Sequence, residues 1–173
     1  MPGQLFVLFL AASLAMGPAS SKQQPTNPRP EQLAARQDLR GVWKIIEQSS
    51  RTPGAAAWTV GKPAHLSVYI FTRAHYSYMW TAGPRVLFAG DPNRPTDAEK
   101  AAAYSSFIAA SGTYVLSGSA LTLTAIITKN PNEMTGVPLN YTVEIDAATL
   151  RMTIKNPPFA PGQERRTVLT RLE

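Results

Sequence analysis

The stretch DLRGVWKIIEQSS, residues 38–50, is where the sequence adopts a two-residue period. From Gly41 onward Trp43 and Ile45 fall on one side of an extended chain, which is typical of a β-strand with one apolar face. The strand is predicted to run to about Arg51. A glycine and a tryptophan separated by one residue therefore open the first strand.

Apolar runs separated by tight turns predict further strands. HLSVYIFT (65–72) and HYSYMWT (75–81) flank a two-residue hairpin connection, Arg73-Ala74. Sequential strands usually pair, and a meander of about eight strands removes its exposed edges by closing into an up-and-down barrel. A two-sheet sandwich is the alternative. The later strands are GTYVLSG and SALTLTAIIT, joined at Gly118; LNYTVEID and TLRMTIK, joined through 146–148; and RRTVLTRLE at the end of the chain.

Alternation along these later strands predicts which side chains face the interior. Polar partners such as Thr122, Thr142 and Arg151 belong outside. The predicted inward residues are Leu121, Leu123, Ala125, Ile127, Leu139, Tyr141, Val143, Ile145, Leu150, Met152 and Ile154.

One α-helix is predicted after the third strand, in PTDAEKAAAYSSFIAASG (95–112). Thr96 and Glu99 form a capping box, an alanine-rich body follows, and Gly112 is the predicted stop. Both faces of the preceding hairpin are apolar, so something must cover the second face. The helix edge that would do so carries Tyr104, Phe107 and Ile108.

The N-terminus predicts export. Residues 1–21 are uncharged, and the apolar run from Leu5 to Met16 is too short to span a bilayer, while Ala19 and Ser21 suit signal-peptidase cleavage. No Lys or Arg precedes the run, so an uncleaved anchor or a misplaced start codon are the alternatives. We expect a signal peptide over 1–21, a proline-rich linker with a short helical turn over 22–37, and one barrel domain over 38–173, in a periplasmic or secreted protein.

Composition excludes several kinds of function. The chain has no cysteine, which removes disulfides, thiol chemistry and thiolate metal sites. Its net charge of +6 is dispersed, and no nucleic-acid motif accompanies it, so no nucleic-acid partner is predicted. We expect a monomer without a transmembrane segment in the mature form.

The opening glycine and tryptophan, with Arg171 on the last strand, resemble the lipocalin and calycin pattern. YIFTRAHYSYMW, SGTYVLSGSALTL and the following KNP make residues 38–173 similar to the bacterial lipocalin-like domain family. The resemblance implies that Gly41 lets the entering turn approach closely, that Trp43 plugs the closed end, and that Arg171 lies over its ring. It also implies a small hydrophobic or amphipathic ligand inside the barrel.

The sequence departs from secreted animal lipocalins in three ways. It has no disulfide, its helix lies between the third and fourth strands, and their second motif has no counterpart beyond the loop DPNRPTD. Retinoid or odorant binding therefore does not carry over, and most bacterial members have no established ligand.

Aromatic residues with polar tips are the predicted ligand contacts, because they can orient a molecule in an apolar cavity. They could equally be plain core, since a small barrel can fill its own interior. The candidates are Tyr69, Tyr76, Tyr78, Trp80, Tyr114 and Tyr141.

No catalytic residue, cofactor or metal site is assigned. His65 and His75 begin paired antiparallel strands and so lie toward opposite ends of the hairpin. No Gly-x-Ser-x-Gly setting or phosphate-binding loop occurs. Two alternatives to ligand binding stay open: an isomerase or cyclase that uses His75 with a tyrosine, and a filled barrel acting as an envelope interaction protein.

Overall fold

The computed structural model describes residues 39–62, 64 and 66–173. The predicted signal peptide and linker, and His65, lie outside the described residues.

The described chain is mostly β-strand, with one α-helix and a short 3-10 helix, Pro131–Glu133. The helix α1, Asp97–Ser105, lies between β4 and β5. The strands are β1 Gly41–Arg51, β2 Thr59–Val60, β3 Leu66–Phe71, β4 His75–Thr81, β5 Phe107–Ser117, β6 Ala120–Thr128, β7 Leu139–Ile145, β8 Thr149–Lys155 and β9 Glu164–Arg171.

The strands form a closed antiparallel barrel. Each strand from β3 to β9 pairs with the next, β1 pairs with β3, and β1 pairs with β9 from Trp43 opposite Arg171 to Arg51 opposite Glu164. The two-residue β2 adds only to the edge of β1. The predicted eight-stranded up-and-down barrel, with its helix after the third barrel strand, is confirmed, and the sandwich is wrong.

The two ends of the barrel differ. Residues 72–74, 118–119 and 146–148 make tight turns at one end, which we call the closed end. The longer connections, which follow β1, β4, β6 and β8, all lie at the other, open end. Asp146 at one tight turn accepts hydrogen bonds from the backbone N–H groups of Ala148 and Thr149, which fixes its geometry.

Most predicted inward positions are buried, but Ile127 is not. The register between β5 and β6 shifts, with Ser111 opposite Ile127 and Gly112 opposite Ala125, so Ile126 has no partner. A bulge residue reverses the alternation beyond it. Ile127 is consequently 61% exposed, and the prediction for it was wrong.

The predicted C-terminal end of the helix was also wrong. The helix stops at Ser105, and Phe107 and Ile108 instead begin β5, where they pair with Thr81 and Trp80 of β4. Strand pairing outweighs the modest helix preference of an Ala/Ser sequence. No residue of α1 is buried, so the helix does not cover the hairpin.

Gly112 serves the barrel rather than a helix end. It lies within β5, where a Cβ would overlap the carbonyl oxygen of Thr124 on β6. Only glycine permits so close an approach of two backbones.

Candidate functional site

The closed end is sealed by Trp43 and its partners. The tryptophan is fully buried, its Nε1 donates to the carbonyl of Leu39 at 3.0 Å, and the Arg171 guanidinium lies 4.1 Å from its ring centroid. Arg171 also donates to the carbonyls of Arg40 at 2.7 Å and Ala147 at 3.0 Å. Residues from the start, a turn and the end of the described chain are thereby tied together.

Gly41 permits this arrangement. Its φ of 138° is a value that other residues rarely adopt, and a Cβ there would overlap the carbonyl oxygen of Glu173. The structure thus places Gly41, Trp43 and Arg171 in the positions that the resemblance implied.

A cavity of about 370 Å³ lies inside the barrel and reaches the open end. Its lining combines aromatic and aliphatic side chains from the strands with polar and charged groups near the mouth. The lining residues are Gln48, Ser49, Ser50, Gly61, Lys62, Tyr69, Tyr76, Tyr78, Trp80, Ile108, Ala110, Ala125, Thr128, Glu133, Leu139, Tyr141, Ile154, Phe159, Arg165, Arg166 and Thr167.

Stacked tyrosines form one wall of the cavity. The ring centroids of Tyr69 and Tyr78 lie 4.8 Å apart, and those of Tyr76 and Tyr78 lie 5.9 Å apart. Tyr69 projects from β3, and Tyr76 and Tyr78 alternate with outward residues on β4, with Trp80 next in the same series. Tyr141 reaches the cavity from β7. The stack offers flat apolar faces to a bound molecule.

The hydroxyls of these four tyrosines have no partner in the part of the chain that the structure describes. Among the described residues, no group makes a hydrogen bond to the hydroxyl of Tyr69, Tyr76, Tyr78 or Tyr141. Tyr69 is 8% exposed and Tyr76 3% exposed, so both side chains are buried in the barrel. Buried hydroxyls without partners are uncommon, because leaving one unsatisfied costs roughly 1–3 kcal/mol.

Burial keeps these phenols protonated. It raises the pKa of Tyr76 to about 12, with the negative charge of Glu133 adding to the effect. The pKa values of Tyr69, Tyr78 and Tyr141 also rise, chiefly through burial and then through their proximity to other tyrosines. At neutral pH the cavity wall therefore presents hydrogen-bond donors without charge.

The mouth of the cavity is charged. Lys62 and Arg165 line it, and Glu133 lines it from the 3-10 helix between β6 and β7. Arg166 donates to Glu47 at 3.0 Å, so its charge is partly balanced by a carboxylate. A ligand with a charged end would place that end at the mouth, where water remains accessible.

Trp58 anchors the connection that follows β1. The guanidinium groups of Arg51 and Arg166 each lie 4.5 Å from the centroid of its ring. Arg51 also pairs with the buried Glu164 at 2.6 Å. These contacts hold the connection beside the cavity mouth.

The structure brings together five of the six predicted ligand contacts and separates the sixth. Tyr69, Tyr76, Tyr78, Trp80 and Tyr141 all line the cavity. Tyr114 does not: its ring packs edge-on against Phe71, 5.5 Å between centroids, and its hydroxyl donates to the carbonyl of Thr72 at 2.8 Å. Tyr114 therefore supports the hairpin turn at the closed end.

Sequence reasoning missed several lining residues. Arg165 could have been found, because it alternates with Thr167 and the buried Leu169 along β9. Lys62 and Glu133 could not, since they lie on connections whose path no period predicts.

His75, on which the enzymatic alternative depends, is exposed beside the closed-end turn and does not line the cavity. Within residues 39–62, 64 and 66–173, no group of three His, Cys, Asp or Glu side chains could hold a metal ion. The same part of the chain contains no helix long and apolar enough to cross a membrane.

Comparison with known proteins yields distant structural similarity. No protein-family profile matches the chain, and no curated protein matches it. A lipocalin-like protein from Bacteroides uniformis is 15% identical, with a TM-score of 0.43 over 78% of this chain and 99% of its own. An uncharacterized protein from Bacteroides eggerthii is 14% identical, with a TM-score of 0.42 over 76% of this chain and 98% of its own. The barrel itself is established by the strand pairing of this chain.

Proposed function

We propose that this protein binds a small hydrophobic or amphipathic molecule inside its barrel. The observation that carries the proposal is the cavity of about 370 Å³ between the Trp43 plug and the open end. A volume in this range is typical of small-molecule sites, which are concave and mostly apolar with a few polar groups. A barrel filled by its own side chains, the envelope interaction alternative, would leave no such space.

Binding would follow from removal of apolar ligand surface from water. The stacked tyrosines supply apolar contact area inside the barrel, and Trp80 and Ile154 supply more of it nearer the open end. The charged groups at the mouth favour an amphipathic ligand over a pure hydrocarbon, since a polar end can stay hydrated there.

Cavity filling tests this proposal. Ala125→Phe places a ring inside the barrel, because Ala125 lines the cavity, whereas Ile126→Phe changes the neighbouring side chain that points outside and is 59% exposed. Fluorescence titration of the full chain with anilinonaphthalene sulfonate should show one saturable site. Ala125→Phe should weaken binding at least about tenfold, equivalent to about 1.4 kcal/mol, and Ile126→Phe should leave it unchanged.

Circular dichroism of both variants would check that they fold. Equal affinity of the folded wild type and the folded Ala125→Phe variant for the probe would place binding outside the barrel and contradict the proposal.

We also propose that the protein is exported as a monomer. Support for export comes from the uncharged, apolar residues 1–21 and the small residues that follow the apolar run. A closed barrel leaves few strand edges for pairing with another copy, which supports a monomer. N-terminal sequencing of the protein from the extracytoplasmic fraction should begin near residue 22, and light scattering should give the mass of one chain. Recovery of an intact Met1 from the cytoplasm would contradict export.

A further inference from the structure

The four cavity tyrosines differ from the fifth tyrosine of the barrel wall. The hydroxyl of Tyr114 donates a hydrogen bond to the carbonyl of Thr72. Tyr69, Tyr76, Tyr78 and Tyr141 line the cavity with no hydrogen bond from their hydroxyls to any described residue. Tyr69 and Tyr76 are more than nine-tenths buried. A set of buried donors around a cavity needs an acceptor, and a bound molecule can supply one.

The charge of the surroundings selects the kind of acceptor. Glu133 also lines the cavity. After burial, its negative charge contributes to the raised pKa values of Tyr76, Tyr78 and Tyr141, and it would repel an anion among them. The cations Lys62 and Arg165 line the cavity near the open end, Lys62 from the connection after β1 and Arg165 from the start of β9. Tyr76 lies near the start of β4, toward the closed end. A neutral oxygen, which accepts hydrogen bonds without carrying charge into the barrel, fits this environment better than a carboxylate.

This inference rests on the proposed ligand-binding function. We infer that the ligand carries a neutral carbonyl group, such as a ketone or ester, and that its apolar body lies against the stacked rings. The carbonyl oxygen lies among the hydroxyls of Tyr69, Tyr76, Tyr78 and Tyr141. The carbonyl enters the cavity first. Any charged substituent of the ligand lies at the mouth, beside Lys62 and Arg165.

A matched pair of probes isolates the carbonyl. Benzophenone and diphenylmethane share two phenyl rings and differ in having a carbonyl or a methylene between them. Equilibrium dialysis of the full chain against each should give a dissociation constant about five- to tenfold lower for benzophenone, the change expected for one net hydrogen bond in a buried site.

Tyrosine variants then locate the effect. Tyr69→Phe and Tyr141→Phe, singly and together, should reduce the preference for benzophenone while leaving the affinity for diphenylmethane within about twofold. Tyr114→Phe is the control, because its hydroxyl is already bonded to Thr72, and it should retain the full preference. Urea unfolding of each variant would confirm that it is folded at the dialysis temperature.

The results distinguish failure of the carbonyl inference from failure of the ligand-binding proposal. Equal affinity of the wild type for both probes, or a preference that survives the double variant, would overturn the carbonyl inference and leave the ligand-binding proposal standing. Failure of both probes and of anilinonaphthalene sulfonate to bind would overturn the ligand-binding proposal and the inference together.

Discussion

Polar groups at the closed end of the barrel stabilise the fold, whereas the tyrosine hydroxyls in the cavity remain available for binding. At the closed end the polar groups of Trp43 and Arg171 are bonded, and their contacts stabilise the fold. Inside the cavity no described residue makes a hydrogen bond to the tyrosine hydroxyls, so these groups add little to the stability of the fold and remain available to a ligand. Binding sites often keep such groups at a cost in stability.

Two tyrosine substitutions should therefore have opposite effects. Tyr69→Phe removes a buried hydroxyl without a partner, so the free energy of unfolding should stay the same or rise by up to about 1 kcal/mol. Tyr114→Phe leaves the carbonyl of Thr72 without its donor and should lower it by about 1 kcal/mol. Urea unfolding of the unliganded proteins measures both, and a larger loss for Tyr69→Phe would refute the assignment of its hydroxyl as unpaired.

A second prediction concerns Trp43, which closes one end of the barrel. Trp43→Phe removes the Nε1 donor to Leu39 and shrinks the ring beneath Arg171, so unfolding should become easier by roughly 1–3 kcal/mol. Trp58→Phe is the control, since Trp58 is only partly buried. If the two variants lose the same small amount, Trp43 does not act as the plug.

At the scale of elements, the sequence predicted what local patterns determine. The capping box at Thr96 and the tight turns were predicted correctly, because each depends on residues close in sequence. The helix end at Gly112 and the inward direction of Ile127 were wrong, because a cross-strand pairing and a bulge decide them. Likewise the alternation of side chains along the strands predicts the aromatic lining of the cavity. Lys62 and Glu133 reach the cavity from connections whose paths no local pattern predicts.

A further prediction concerns Gly112, beside the bulge between β5 and β6. Gly112→Ala would force the two strands apart at Thr124, and the free energy of unfolding should fall by at least about 2 kcal/mol. Gly90→Ala, at a loop position where a Cβ would meet nothing within 4 Å, should change it by less than about 0.5 kcal/mol. Chemical denaturation of both variants makes the comparison. Tolerance of alanine at residue 112 would mean that the strands are not in close contact there.

At the scale of the whole molecule, the buried phenols link stability to alkaline pH. Unfolded tyrosines lose their protons near pH 10.0, whereas folded Tyr76 does so at about 12. Its contribution to stability is complete below pH 10 and is lost as the pH rises through about 12. Tyr69, Tyr78 and Tyr141 act in the same direction because burial also raises their pKa values.

Urea unfolding between pH 8 and pH 12 should accordingly show a decline that begins near pH 10. Tyr141→Phe should make the decline shallower, because one buried phenol has been removed, whereas Tyr104→Phe on the exposed face of α1 should not. An identical pH dependence in the wild type and the Tyr141→Phe variant would show that Tyr141 is not buried in the folded protein.

The central claim is that the barrel holds a small molecule, and native mass spectrometry tests it most directly. The full 173-residue chain would be produced, purified without detergent and weighed before and after denaturation. The native mass should exceed the mass of the chain, and the excess should disappear on denaturation. A native mass equal to that of the bare chain, unchanged after incubation with benzophenone, would contradict it.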